Sequence, residues 1–94
     1  MKLHQKGFLL VALSKSNTLW DDELIVQAFI EYNIFGDYSE KTIRIALDEL
    51  SAAGLITRVE EKLEMNKQRA KLLFRYQLSD FGRARMIDTG LLNG

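Results

Sequence analysis

The stretch Ile43-Arg44-Ile45-Ala46-Leu47-Asp48-Glu49-Leu50-Ser51-Ala52-Ala53-Gly54-Leu55-Ile56-Thr57-Arg58-Val59-Glu60-Glu61-Lys62-Leu63 changes its hydrophobic period across one glycine. Before Gly54, apolar side chains recur at i+3 and i+4 (Ile43, Ala46, Leu47, Leu50, Ala53), the spacing of one helix face. Lys41, Arg44, Ile45, Asp48 and Ala52 then fall on the opposite side. Gly54 supplies the helix stop, because glycine adopts the left-handed backbone that ends a helix. From Leu55 the period is two: Thr57, Val59, Glu61 and Leu63 share one side of a strand, and Arg58, Glu60 and Lys62 the other. Met65-Asn66-Lys67-Gln68-Arg69 is a polar turn, after which Leu72, Phe74, Tyr76 and Leu78 alternate with Leu73, Arg75 and Gln77. A helix followed by an antiparallel β-hairpin is expected.

Upstream, Ser39 is the expected cap of this helix. Thr18 with Asp21 three residues later has the form of a capping box, and Asp21-Asp22-Glu23 places acids where a helix dipole favours them. A helix from Asp21 carries two adjacent stripes, Leu24/Ala28 and Ile25/Phe29/Tyr32, and must be largely covered by other elements. Leu3 to Leu13 reads as a first helix that ends in Ser14-Lys15-Ser16-Asn17, and Gly7 weakens it. Tyr32 to Ser39 is a long linker whose aromatics, Tyr32, Phe35 and Tyr38, are expected to pack inward. Downstream, Ser79 caps a short last helix from Asp80 to about Ile87. Residues 1–88 form one domain in this reading, and residues 89–94 a loose tail.

Composition narrows the function. At 94 residues, with 47% hydrophobic and 28% charged side chains, the chain is large enough for one core and is neither disordered nor collagen-like. There is no cysteine and one histidine, His4, so disulfides, thiolate ligands and multi-histidine metal sets are excluded. No metal or cofactor is expected. The longest apolar run, Phe8 to Leu13, is far shorter than the roughly twenty residues that cross a bilayer, so a soluble, cytoplasmic protein with no membrane partner is expected. No phosphate-binding glycine loop, nucleophile elbow or paired-carboxylate signal is present, and an enzyme is not expected.

Thirteen basic and thirteen acidic residues cancel, but their distribution is uneven. Residues 21–49 sum to −6 and residues 62–75 to +4, the latter from Lys62, Lys67, Arg69, Lys71 and Arg75 against Glu64.

The expected order is helix, helix, helix, strand, strand, helix, a mainly α class with a small antiparallel hairpin. It resembles a winged helix-turn-helix domain. The resemblance rests on Leu47-Asp48-Glu49-Leu50-Ser51-Ala52-Ala53-Gly54-Leu55-Ile56, which looks like the end of a recognition helix entering a wing. It rests also on Tyr76-Gln77-Leu78-Ser79-Asp80-Phe81-Gly82, similar to the Tyr-x-Leu-Thr-x-x-Gly with which many bacterial members leave the wing. Glu23 to Phe29, Tyr32 and Ser39 to Ile56 are, more narrowly, similar to small winged-helix proteins of Mu-like prophages. The linker between the second and third helices departs from this pattern, being longer than a simple helix-turn-helix turn.

The resemblance implies double-stranded DNA as partner and a small transcriptional regulator of phage or mobile-element type. The third helix would lie in the major groove, with Lys41, Thr42, Arg44, Ile45 and Asp48 at base edges. Ser39 at the helix start and Lys62, Lys67, Arg69, Lys71 and Arg75 in the wing would meet phosphates. One such domain reads few base pairs, so a homodimer is expected, with Leu3, Leu10, Met86, Ile87, Leu91 and Leu92 as interface candidates. The acids Asp21, Asp22 and Glu23 oppose a phosphate partner. The alternative is therefore a winged-helix protein-interaction module that does not bind DNA, its acidic helix and exposed Ile45 meeting a basic or apolar partner.

Overall fold

A computed structural model describes residues 3–92 as an α+β domain of four helices and a three-stranded antiparallel sheet. The elements are α1 (Gln5–Ser14), β1 (Leu19–Trp20), α2 (Asp21–Tyr32), α3 (Asp37–Ala52), β2 (Ile56–Met65), β3 (Ala70–Leu78) and α4 (Asp80–Asp88). The sheet order is β1-β3-β2. No helix among the described residues is long and apolar enough to cross a membrane.

The core lies between α1, α2, α3 and the inner face of β3. It is built from Leu9 and Leu13 of α1, Leu24 and Ala28 of α2, Ile43, Leu47 and Leu50 of α3, and Ile56, Tyr76 and Met86. Ile43, Ala46, Leu47 and Leu50 of the i+3/i+4 stripe are thus buried, as the spacing predicted, whereas Ala53, just past the helix end, is exposed. The helix ends after Ala52, and Gly54 takes φ +80°. The amides of Gly54 and Leu55 donate back to the carbonyls of Ser51 and Leu50, so the last turn is closed by hydrogen bonds that only a left-handed residue permits. Gly90, at φ +82°, does the same for α4: Leu91 N donates to the Met86 carbonyl. That turn brings Leu91 and Leu92 back against the core, so residues 89–92 are part of the domain and not a loose tail. Residues 93 and 94 of the expected tail lie outside the described residues.

Other boundaries also differ from the expected ones. The first helix begins at Gln5, with His4 Nδ1 accepting from Lys6 N. Thr18 does not cap α2; Leu19 and Trp20 instead pair with Tyr76 and Arg75 as a third strand, and Glu23 accepts from Trp20 N. A strand this short leaves no alternation to read. The third helix begins two residues before Ser39, at Asp37 after Gly36 (φ +96°), so Ser39 sits in its first turn and is not its cap. The α2–α3 linker, residues 33–36, is correspondingly short. Of the linker aromatics, Tyr32 packs edge-on against Phe8, whereas Phe35 and Tyr38 are both 84% exposed.

The hairpin leaves the body of the domain: Ile56 is buried, and the nine residues of β2 that follow are exposed. A bulge between Arg58 and Glu60 shifts its register, pairing Arg58 with Tyr76 and Glu61 with Phe74. The expected alternation therefore fails at one point. Arg58 shares the inner face with Glu61 and Leu63 and not the outer one with Glu60 and Lys62.

Ser79 caps α4, accepting from Gly82 N at 2.8 Å. Its hydroxyl also lies 2.6 and 2.9 Å from the carbonyl oxygens of Gly54 and Leu55, which tie the start of α4 to the end of α3. Gly82 packs directly under this junction and is the glycine of the Tyr-x-Leu-Ser-x-x-Gly segment.

Candidate functional site

Two elements carry the expected contacts, the outer face of α3 and the hairpin, and a cleft of about 310 Å³ separates them. Lys41, Ile45 and Asp48 stand exposed on α3, as the helical spacing predicted, and Thr42 is exposed beside them. Arg44 does not. Its Nη1 donates to Asp21 at 2.6 Å, its Nη2 to Asp22 at 2.8 Å and its Nε to Glu40 at 3.2 Å. Every guanidinium nitrogen is therefore engaged by a carboxylate within the chain, where the sequence reading expected a side chain presented to base edges. Burial works against the charged guanidinium, but Asp21, with Glu40 and Asp22, outweighs it and raises the Arg44 pKa.

Asp21 is the anchor of this arrangement. It is 1% exposed and the one charged side chain buried among the described residues. Its Oδ1 accepts from Asp22 N at 2.7 Å. Its Oδ2 accepts from Arg44 and also from Phe74 N at 3.2 Å, an amide of β3 just past the end of β1. Asp21 therefore continues with a side chain the pairing that β1 begins with its backbone, and it locks α2, α3 and the sheet together. The acids at the start of α2 thus have a structural use beyond complementing the helix dipole.

A second pair bridges α3 and the hairpin. Arg58 donates to Asp48 at 3.1 Å and to the Tyr76 hydroxyl at 3.2 Å, with its guanidinium 3.7 Å above the Phe74 ring. Burial pushes the Tyr76 pKa up, and the hydrogen bond from Arg58 draws it partly back. The sequence reading overlooked Arg58, because the bulge that turns it inward leaves no mark in the alternation. Asp48 remains on the exposed face but is half of this ion pair.

The expected phosphate contacts divide in the same way. Lys71 pairs with Asp22 at 3.2 Å, and Arg75 with Glu60 at 2.6 Å, beside Thr18 and 5.8 Å from the Trp20 ring. Arg75 is held at the base of the hairpin, and its Nε has no hydrogen-bond partner among the described residues. Lys62, Lys67 and Arg69 are exposed and, like Lys41, make no ion pair among the described residues. The cleft between α3 and the hairpin is lined by Asp21, Asp37, Glu40 and Asp48 together with Arg44, Arg69 and Lys71, so its charge is mixed, and of the four acids Asp21, Glu40 and Asp48 are already ion-paired.

The proposed dimer surface is largely used within the chain. Leu10 and Met86 are core residues, Leu91 and Leu92 pack against the core, and Leu3 and Ile87 alone of the six are exposed.

In comparison with known proteins, no family model, no curated protein and no solved structure matches this chain.

Proposed function

We propose that this is a winged-helix protein that binds double-stranded DNA, with α3 in the major groove and the β2–β3 hairpin as a wing on the phosphates. The observation that carries the reading is the set of exposed cations without ion-pair partners among the described residues, Lys41 on α3 and Lys62, Lys67 and Arg69 on the hairpin. The other cations of these two elements, Arg44, Arg58, Lys71 and Arg75, are neutralised by named carboxylates. An unpaired cation on an extended arm has no role in holding the fold, and it suits a polyanion. A small cytoplasmic regulator of phage or mobile-element type, acting as two copies on a repeated site, is the setting that fits a domain of this size.

The pairing also sharpens the test. Lys67→Gln/Arg69→Gln is expected to weaken binding to every duplex by on the order of 30-fold near physiological salt and to reduce the salt slope by about 2. Adding Lys71→Gln is expected to change little, since that ammonium is already neutralised by Asp22. Unaltered binding by the double variant, measured by fluorescence anisotropy, removes the hairpin from the mechanism.

A second reading, a protein-interaction module for a basic partner, is favoured by Asp37, the carboxylate of the mixed-charge α3–hairpin cleft that makes no ion pair among the described residues. It is the reading that remains if no duplex binds at low salt.

A further inference from the structure

The outer stripe of α3 runs Tyr38, Lys41, Thr42, Ile45, at i, i+3, i+4 and i+7, and all four are exposed. Tyr38 and Ile45 leave large apolar surface in water: Tyr38 is 84% exposed, and Ile45, beside His4, Gln5 and Lys6 of the first-helix start, is 49% exposed. The hydroxyl of Thr42 donates to the Tyr38 carbonyl at 3.0 Å, so its proton is used by the backbone. Arg44, the side chain of this helix best shaped to grip guanine through two parallel hydrogen bonds, is held by Asp21, Asp22 and Glu40. What this stripe offers to a groove is therefore the Tyr38 ring with its hydroxyl, the Ile45 side chain, the Thr42 methyl and oxygen, and one ammonium, with no fork of donors.

We infer that α3 reads thymine through its C5 methyl group, by apolar contact with Tyr38 and Ile45, and that Arg44 takes no part in base readout. The inference rests on the DNA-binding reading above and adds the class of base recognised. The occupant follows from charge: the stripe includes Lys41 and is accompanied by the hairpin cations Lys62, Lys67 and Arg69, which fits an apolar contact flanked by phosphates. In the major groove the thymine methyl is the one apolar group a base edge presents.

The test compares three duplexes of equal length by fluorescence anisotropy: one of mixed A·T-rich sequence, the same with deoxyuridine for every thymine, and one rich in G·C. The full chain is expected to bind the thymine duplex on the order of tenfold more tightly than the uridine duplex, the effect of about two buried methyl contacts. Ile45→Ala, at an exposed position, is expected to melt like the parent and to lose about half of that discrimination on a logarithmic scale. Equal binding of the thymine and uridine duplexes overturns the inference and leaves the DNA-binding reading in place. Tighter binding of the G·C duplex also overturns it, by placing a freed Arg44 at guanine. Binding of no duplex at low salt overturns both.

Discussion

Gly82→Ala is expected to destabilise the domain by about 3 kcal/mol or more, enough to lower its Tm by roughly 15 °C. A Cβ at this position overlaps the Leu55 carbonyl oxygen and stands 2.9 Å from the carbonyl carbon and 3.0 Å from Leu78 Cδ1. The obstructing atoms are mainly backbone, so no rotamer change relieves the clash. The same Leu55 oxygen accepts from the Ser79 amide at 3.2 Å, so moving it away disrupts the clamp between α3 and α4. A domain of this size has on the order of 5–14 kcal/mol in total, and the loss is therefore a large fraction of it. Urea unfolding followed by circular dichroism measures the effect. A loss below about 1 kcal/mol would mean that the close approach of α4 to Leu55 is not required.

Asp21→Ala is expected to cost a further amount of similar size, about 3 kcal/mol. The substitution removes one carboxylate and takes the partner from three donors, the Arg44 Nη1 and the amides of Asp22 and Phe74. Arg44 keeps Asp22 and Glu40, which holds the loss toward the lower end for a broken buried pair. Asp22→Ala is the matching control: its side chain is far more exposed, its contacts to Arg44 and Lys71 face solvent, and a change of under about 1 kcal/mol is expected. Equal effects from the two substitutions would show that the burial of Asp21 does not set its importance.

Much of the fold could be read locally. The helix-to-strand switch at Gly54, the return strand to Leu78 and the Ser79 cap each leave a signal within a few residues, and the structure agrees with them. The features that escaped the sequence reading are those decided by residues distant in the chain. Strand β1 exists because Leu19 and Trp20 meet Tyr76 and Arg75, and two residues carry no period. Arg44 lies at the border of the α3 polar face, where the neighbouring element decides its fate, and its carboxylates Asp21 and Asp22 lie more than twenty positions upstream. The one signal available was the acidic segment itself, whose charge needed a partner. Leu10 and Met86 were misplaced for the same reason: surplus apolar area is visible in a sequence, but the surface that will cover it is not. On the site, the exposed position of Lys41, Ile45 and Asp48 followed from helical spacing alone, and the division of the cations into paired and unpaired did not.

The pairing scheme makes a quantitative demand on any DNA complex. If Lys41, Lys62, Lys67 and Arg69 are the cations that meet phosphates, few counterions are released on binding, and the affinity varies less steeply with salt than the thirteen basic residues of the chain would suggest. The most direct measurement is a fluorescence-anisotropy titration of the full chain against random-sequence duplex DNA at several salt concentrations. A linear plot of log affinity against log salt, with a slope of about −3 to −4, is the predicted result. An absence of binding at low salt, or binding that does not vary with salt, would contradict it and point to a protein partner at the α3–hairpin cleft.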